Sequence, residues 1–155
     1  LESMQIASVD PGMGLGYGRY AVDTIWTDKL PQVMNMILNH FGNTNSARTH
    51  IVVSPKQNRE LSSDSSFSMV GNAFVGVYAV WDDPLEDTNT DKWMDGVQEL
   101  IHPLSVGQYI NEVDAFNNPE SVQNCFTLEA WKKLRALKKI YDPNKLFADY
   151  PGIIG

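Results

Sequence analysis

The sequence contains 155 residues, of which 43% are hydrophobic and 20% are charged. This length and composition are typical of one folded domain, and they exclude a disordered tail, a fibre and a coiled coil. Nineteen acidic and twelve basic residues give a formal net charge of −7, which argues against nucleic acid or an anionic membrane as a partner. The sequence has no uncharged apolar stretch near the roughly 18 residues that a membrane span needs.

The first residue indicates how the chain is produced, and the single cysteine limits its chemistry. The sequence begins at Leu1 without an initiator methionine or a signal-peptide pattern, so we expect a processed chain or a part of something longer. One cysteine, Cys125, excludes an internal disulfide and a cysteine-based metal cage. No histidine lies near it in the sequence, and we therefore expect a small buried hydrophobic residue rather than a nucleophile.

Residues 1–17 form a lead-in segment in which alternate positions from 12 onwards are glycine. A phosphate-binding loop has a similar composition, but the dinucleotide fingerprint needs its third glycine three places after the second. Tyr17 and Arg19 occupy the two candidate positions, and no Gly-Lys-Ser/Thr follows. A flexible lead-in to a strand is the preferred interpretation.

A strand and a helix follow the lead-in. Residues 19–27 are rich in β-branched and aromatic side chains, which predicts a strand. Apolar residues then recur at helical spacing over 30–41 until Gly42 ends the pattern, and this predicts a helix. Thr27 and Asp28 are good N-cap residues for it.

The middle of the chain repeats these patterns. We predict strands over 50–54, 67–81 and 104–113, and a helix whose apolar stripe is Trp93, Val97, Leu100 and Ile101. Gly71 and Gly76 allow a bulge or a close backbone approach. The resulting order, strand, helix, strand, strand, helix, strand, predicts an α+β unit over residues 18–114, with helices on one face of an antiparallel sheet in the ferredoxin-like split order.

A third helix is predicted in a tail over residues 115–155. Thr127 is a good N-cap, and Phe126 and Trp131 stand at the two positions of a hydrophobic staple. The expected buried stripe consists of Ala130, Leu134, Leu137 and Tyr141.

The charge of the chain reverses at this helix. Residues 1–131 carry seventeen acids and six bases (−11), whereas residues 132–155 carry two acids and six bases (+4). A solvated basic face on a packed helix is a better interpretation than an anion site. Because the helix lies outside the α+β unit, we expect it to pack against something else.

Metal sites are weakly indicated. Alternating ligands of a calcium loop are suggested by Asp87, Asn89 and Asp91. Lys92 and Gln98, however, stand where that loop needs a glycine and a bidentate glutamate. The histidines are isolated from one another in sequence: His40, His50 and His102. A metal-free protein is therefore expected.

The predicted fourth strand is unusually polar. Strand alternation places Tyr109, Asn111 and Val113 on one face and Gln108, Ile110 and Glu112 on the other. A strand with one wet face needs only one of these polar sets. The pattern indicates either an ordinary strand or a strand that lines a cavity for a polar ligand, and residue chemistry alone leaves both open.

Two blocks of sequence resemble a known family. Residues 107–114 read Gly-Gln-Tyr-Ile-Asn-Glu-Val-Asp, and residues 134–147 read Leu-Arg-Ala-Leu-Lys-Lys-Ile-Tyr-Asp-Pro-Asn-Lys-Leu-Phe. In order and spacing they resemble the C-terminal end of the FAD-linked oxidases of the vanillyl-alcohol-oxidase superfamily, with a berberine-bridge-enzyme-like tail. The earlier strand and helices are similar to the substrate domain of that family.

The resemblance implies a site and a cofactor. In that family FAD lies between an N-terminal FAD-binding domain and the substrate domain. The resemblance therefore implies that Tyr109 and Asn111 face the flavin ring, with Asn111 as a cofactor contact and Tyr109 as the catalytic residue that orients or deprotonates the substrate. Gln108 and Glu112 are the implied substrate contacts, although many relatives carry an aromatic residue or histidine at the position of Glu112.

The FAD-binding half is absent from these 155 residues. The resemblance implies that this half, in the same protein or in a companion chain, is the partner, together with a small-molecule substrate. Secretion is usual in that family and is therefore implied by the resemblance, although the sequence has no Asn-x-Ser/Thr sequon.

One rival interpretation belongs to a different class of protein. A noncatalytic ferredoxin-like interaction module would dock through its C-terminal helix. An oxidase requires Tyr109 and Asn111 to converge on a cavity, whereas such a module does not.

Overall fold

The computed structural model describes residues 18–42, 46, 48–56, 61–62, 65–113, 115 and 119–147. Its helices and strands are, in chain order, β1 (Arg19–Thr27), α1 (Leu30–Phe41), β2 (His50–Pro55), β3 (Ala73–Trp81), α2 (Asp87–Ile101) and α3 (Leu128–Tyr141). Short 3-10 turns span Pro84–Glu86, His102–Leu104, Ile110–Glu112 and Pro119–Cys125. The predicted α+β class is confirmed. The lead-in over 1–17, Asp114 and the chain end over 148–155 lie outside the described residues.

The sheet has three antiparallel strands in the order β1, β3, β2. The central strand β3 pairs along its whole length with β1, so that Thr24 lies opposite Gly76, and it pairs with β2, so that Val53 lies opposite Val75. This is the sheet order of the predicted split arrangement, in which a fourth strand would add beside β1.

The predicted fourth strand over 104–113 is wrong. The segment does lie along the outer edge of β1, but among the described residues only Gly107 forms a bridge there, with Trp26. Trp26 N donates to Gly107 O at 2.7 Å, and Val106 N donates to Trp26 O at 2.8 Å. The chain then enters the turn Ile110–Glu112 instead of continuing along the edge. The polar residues over 108–112 therefore belong to an irregular segment and not to a strand.

Helices α1 and α2 pack on the same face of the sheet, as predicted. The central side chains of this core are at most 1% exposed: Ile25, Val75 and Val77 from the sheet, and Val33, Ile37, Val97 and Ile101 from the helices. Full burial of a Val or Ile side chain contributes about 1.5–3 kcal/mol, so this face is the main source of stability. The alternate residues of the strands consequently point away from the helices.

The start of α1 differs from the prediction. Lys29, not Thr27 or Asp28, occupies the N-cap position, and its side chain makes no capping bond. Thr27 Oγ1 instead accepts a hydrogen bond from Lys29 N at 3.0 Å. Asp28 Oδ1 accepts from Asn72 N at 2.8 Å and so ties the start of the helix to the residue before β3.

The chain between β3 and α2 is acidic, and α2 begins at Asp87, within this acidic stretch. The Asp87 carboxylate accepts a hydrogen bond from Trp81 Nε1 at 2.7 Å and forms an ion pair with Arg19. The indole hydrogen bond, followed by the guanidinium, holds the pKa of that carboxyl below its usual range. The acid therefore has a structural role at the end of the sheet.

The tail helix α3 begins as predicted. Thr127 Oγ1 accepts a hydrogen bond from Ala130 N at 3.2 Å, which caps the first turn. The rings of Phe126 and Trp131 lie 5.7 Å apart, as a hydrophobic staple requires. Trp131 is also the centre of a second, small core with Val122.

The predicted buried stripe of α3 is wrong at its C-terminal half. Ala130 and Leu134 are half-buried, whereas Leu137 and Tyr141 are 39% and 76% exposed. Trp131 is the one buried residue along the described helix. The helix therefore presents apolar side chains to solvent beside its lysines.

Three remaining expectations concern membranes, metals and Cys125. Within the described ranges, no helix is both long and apolar enough to cross a membrane. Among those same residues, no group of three or more His, Cys, Asp or Glu side chains could hold a metal ion. Cys125 is buried as predicted, and burial raises the pKa of its thiol to about 12, which keeps it protonated.

Candidate functional site

The sheet face opposite α1 and α2 carries the candidate site, and we call it the open face. It presents alternate residues of the three strands: Thr24 and Trp26 from β1, Phe74, Gly76 and Tyr78 from β3, and His50 from β2. The segment 105–112 runs along β1 and then turns over this face. Three of the four side chains that the sequence nominated, Tyr109, Asn111 and Glu112, lie there.

Thr24 anchors this segment at both ends. Its side chain is fully buried. Its Oγ1 accepts a hydrogen bond from Tyr109 N at 3.3 Å and donates to Glu112 O, also at 3.3 Å. One hydroxyl therefore fixes Tyr109 and Glu112 relative to the sheet.

The ring of Tyr109 is held by other aromatic side chains. Phe67 and Phe74 meet it edge-on, with ring centroids 6.0 and 6.1 Å away and interplanar angles of 85° and 89°. Trp26 completes the group, 5.9 Å from Phe67 and 5.4 Å from Phe74. Edge-to-face pairs of this kind are favourable beyond the area that they bury. We call these four side chains the aromatic cluster, and it fixes the direction of the Tyr109 hydroxyl.

Asn111 meets Tyr109 across the turn. Its Nδ2 donates a hydrogen bond to the Tyr109 hydroxyl oxygen at 3.0 Å, and its side chain is exposed. The turn Ile110–Glu112 also changes the predicted alternation of faces, because Glu112 now lies on the same side as Tyr109 and Asn111.

Glu112 is held by a tyrosine of the central strand. The Tyr78 hydroxyl donates a hydrogen bond to Glu112 Oε2 at 2.8 Å. Burial, and next the hydrogen bond and charge of Glu112, raise the pKa of Tyr78 well above its usual range. Tyr78 therefore keeps its proton and remains a donor to the carboxylate.

Gly76 gives this tyrosine its room. A Cβ at Gly76 would lie 2.8 Å from Cε2 and 3.0 Å from the hydroxyl oxygen of Tyr78. The phenol therefore lies across the backbone of Gly76, and any side chain there would displace it. The sequence allowed a bulge or a close backbone approach at Gly76, and what approaches is the side chain of Tyr78.

His50 lies beside the same phenol. Its ring stacks on that of Tyr78 with centroids 5.1 Å apart and an interplanar angle of 6°. His50 Nδ1 lies 2.8 Å from Arg48 O, and because a carbonyl oxygen can only accept, Nδ1 is the donor in this contact. The sequence did not indicate the pairing of His50 with Tyr78, because the two residues meet only through the register of two strands.

Gln108 lies on the other side of β1, away from the open face. It is 5% exposed, and its Nε2 donates to Asp23 Oδ1 at 3.2 Å. Asp23 Oδ2 in turn lies 2.6 Å from His102 Nε2. This network was not predicted from the sequence, although the position of Asp23 between Ala21 and Ile25, on the apolar face of β1, was a signal that could have revealed it.

Comparison with known proteins places this arrangement in a class of folds. No family model matches the sequence, and no curated protein matches it. Among solved structures, the chain has the fold of one part of a berberine-bridge-enzyme-like (BBE-like) protein. It is similar to wild-type BBE-like 1 from Physcomitrella patens, with a TM-score of 0.71 and 12% sequence identity.

This match covers 96% of the present chain and 34% of the moss protein. The chain therefore spans about a third of the length of that structure. At 12% identity the similarity shows the fold alone.

Proposed function

We propose that the chain is the C-terminal part of an FAD-dependent oxidoreductase that oxidises a hydroxyl or C–H substrate by hydride transfer, with oxygen as the final acceptor. The observation that carries the proposal is the convergence of Tyr109, Asn111 and Glu112 on the open face. These groups are anchored by Thr24 and arranged over an aromatic cluster. The BBE-like fold supports the same class of protein.

The open face fits a flavin. The aromatic cluster offers an apolar wall of the kind against which a planar ring packs. Asn111, exposed at the edge of that wall, has an amide suited to the polar edge of a flavin ring. We assign Asn111 as the cofactor contact. FAD, when bound, supplies the acceptor for the hydride.

Tyr109 is the proposed catalytic residue. Phe67 and Phe74 fix its ring, so its hydroxyl has one preferred position. A phenol held in this way can orient a substrate hydroxyl and take part in removing its proton. The amide of Asn111 donates to the same oxygen and would stabilise negative charge that develops on it. Glu112 is the proposed substrate contact beside them.

The proposed partner is an FAD-binding portion, in the same protein or in a companion chain. The chain spans a third of the BBE-like structure that it matches, so two thirds of such a fold must come from elsewhere. Five large apolar side chains in the last part of α3 and just after it are exposed by 39–79%: Leu137, Ile140, Tyr141, Leu146 and Phe147. Several exposed apolar side chains in one part of the chain are typical of an interaction surface.

The experiment is to purify the chain together with its FAD-binding portion and record the absorption spectrum. We expect flavin absorbance and oxygen consumption with a hydroxyl-bearing substrate. The chain alone is expected to hold FAD weakly. A colourless assembly that contains both portions would contradict the proposal.

The second candidate is the noncatalytic interaction module, which the exposed apolar side chains of α3 favour. In that case Ile140→Asp would abolish binding of the partner, whereas Tyr109→Phe would leave the biological activity of the protein unchanged. A flavin-free complex with these two properties would replace the oxidoreductase proposal.

A further inference from the structure

We propose that Glu112 is the proton acceptor of the site and that Tyr78 is the positioning residue that holds its carboxylate over the sheet. This inference rests on the proposed oxidoreductase function and gives Glu112 a role beyond contact with the substrate. It assigns the proton of the substrate to the carboxylate, and it leaves Tyr109 to orient the substrate.

Carboxyl groups and phenols differ in their ordinary protonation states. A carboxylate ordinarily lacks its proton at neutral pH, whereas a phenol ordinarily keeps it. A neutral phenol must therefore lose its own proton before it can accept another. Of the described side chains on the open face, Glu112 is the one carboxylate, and within the described residues it forms no ion pair with Lys, Arg or His.

Glu112 is held at two points. Its backbone oxygen accepts a hydrogen bond from Thr24 Oγ1 at 3.3 Å, and its Oε2 accepts one from the Tyr78 hydroxyl at 2.8 Å. Side chain and backbone are thus tied to β3 and β1 respectively. A base that is fixed in this manner needs little reorganisation when the substrate arrives.

Residues of β2 and β3 hold the Tyr78 ring in place. The phenol stacks flat against His50, and it occupies the space above Gly76, where a Cβ would come within 2.8 Å of its ring. A tyrosine that merely filled a core would not need an absent side chain beside it. The arrangement brings the phenol hydroxyl to the Glu112 carboxylate.

The chemical step would balance with FAD bound as the oxidant. For a secondary alcohol, the O–H proton would move to the Glu112 carboxylate, and the C–H electron pair would leave with its hydrogen as a hydride, for which FAD would supply the acceptor. The oxygen electron pair would form the second C–O bond, so that the alcohol would become a ketone. The proton would remain on Glu112 until solvent removed it.

The first experiment needs only the chain itself. NMR with ring-labelled tyrosine records the ring signals of Tyr78 at neutral pH in the wild type, in Glu112→Gln and in the control Glu99→Gln, whose side chain is exposed on α2. We expect the Tyr78 signals to shift in Glu112→Gln, since a neutral amide replaces the charged acceptor of the Tyr78 hydroxyl. Glu99→Gln should leave them unchanged. Identical Tyr78 signals in all three proteins would overturn the proposal whatever the flavin content.

The second experiment measures turnover in the FAD-loaded assembly. We expect Glu112→Gln to lower kcat by about a hundredfold or more, which is the range for loss of a general base. Tyr78→Phe keeps the ring but not the hydroxyl, and should lower kcat by about tenfold, with a smaller change in KM. Glu99→Gln should match the wild type. A flavin-loaded assembly in which Glu112→Gln keeps the wild-type kcat would overturn this assignment alone, whereas a colourless assembly would overturn the proposed function beneath it.

Discussion

The carboxylate of Asp23 lies 2.6 Å from Nε2 of His102, on the helix-facing side of β1. Asp23 is 2% exposed, and its second oxygen accepts a hydrogen bond from Gln108. Gln108 directly precedes Tyr109, so the same network that satisfies a buried carboxylate also holds the start of the site segment. A buried carboxylate without such partners would be strongly unfavourable.

Asp23→Ala should lower the free energy of unfolding by about 2 kcal/mol, because it leaves the Gln108 amide and the His102 ring without their common acceptor. Equilibrium denaturation in urea measures the change. Asp95→Ala, on the exposed side of α2, is the matched control and should change stability by about 0.5 kcal/mol or less. Equal effects of the two substitutions would show that the network contributes nothing.

The sequence predicted β1 and α1 well because their signals are local. Strand alternation over 19–27 and helical spacing over 30–41 give the observed bounds to the residue. For the segment 104–113, local signals were not sufficient. Its polar pattern suits a strand or an irregular segment equally, and the choice depends on how the distant edge of β1 receives it.

The residues of the candidate site likewise include some that the sequence could predict and some that it could not. Tyr109, Asn111 and Glu112 could be nominated because a sequence motif places them together in the chain. Tyr78 and His50 could not, since they join the site only through the register of β2 and β3. The resemblance implied that Gln108 contacts the substrate, and the structure places its side chain behind β1.

Gly71→Ala should destabilise the protein strongly. A Cβ at Gly71 would lie 2.7 Å from the backbone N and C atoms of Thr27, and backbone cannot move aside as a flexible side chain can. We expect a loss of about 2 kcal/mol or more, in the range for an overpacked site, measured as the free energy of unfolding in urea.

Gly42→Ala is the control for that substitution. Gly42 has φ −61° at the end of α1, and nothing lies within 4 Å of a Cβ built there. Alanine should therefore be neutral or stabilise the protein by about 0.5 kcal/mol. A Gly71→Ala protein as stable as Gly42→Ala would mean that β1 and the residues before β3 are further apart than the structure shows.

The end of α3 should respond to acid through Asp142. Its carboxylate accepts hydrogen bonds from Leu146 N at 2.7 Å and Phe147 N at 3.2 Å, and it pairs with Lys138. Lys138 first, and then these backbone donors, lower the pKa of Asp142. The folded state therefore gains stability above the unfolded value of about 3.9, and loses it as the pH falls through the lower folded value.

Asp142→Asn should accordingly lower the thermal midpoint of the helical circular dichroism signal at neutral pH. The gap between variant and wild type should narrow below about pH 4, where protonation makes the two side chains alike. A gap of constant size from neutral pH into acid would show that the charge of Asp142 has no part in holding the chain after α3.

Tyr109→Phe separates chemistry from folding at the centre of the site. The substitution keeps the ring between Phe67 and Phe74 and removes only the hydroxyl that accepts from Asn111. In the FAD-loaded assembly we expect turnover to fall by about a hundredfold, because the hydroxyl that orients the substrate is lost, while the free energy of unfolding changes by about 1 kcal/mol or less. Tyr20→Phe, 74% exposed on β1, should change neither quantity. If activity and stability fell together, Tyr109 would be a structural tyrosine of the aromatic cluster, and another group would orient the substrate on the open face.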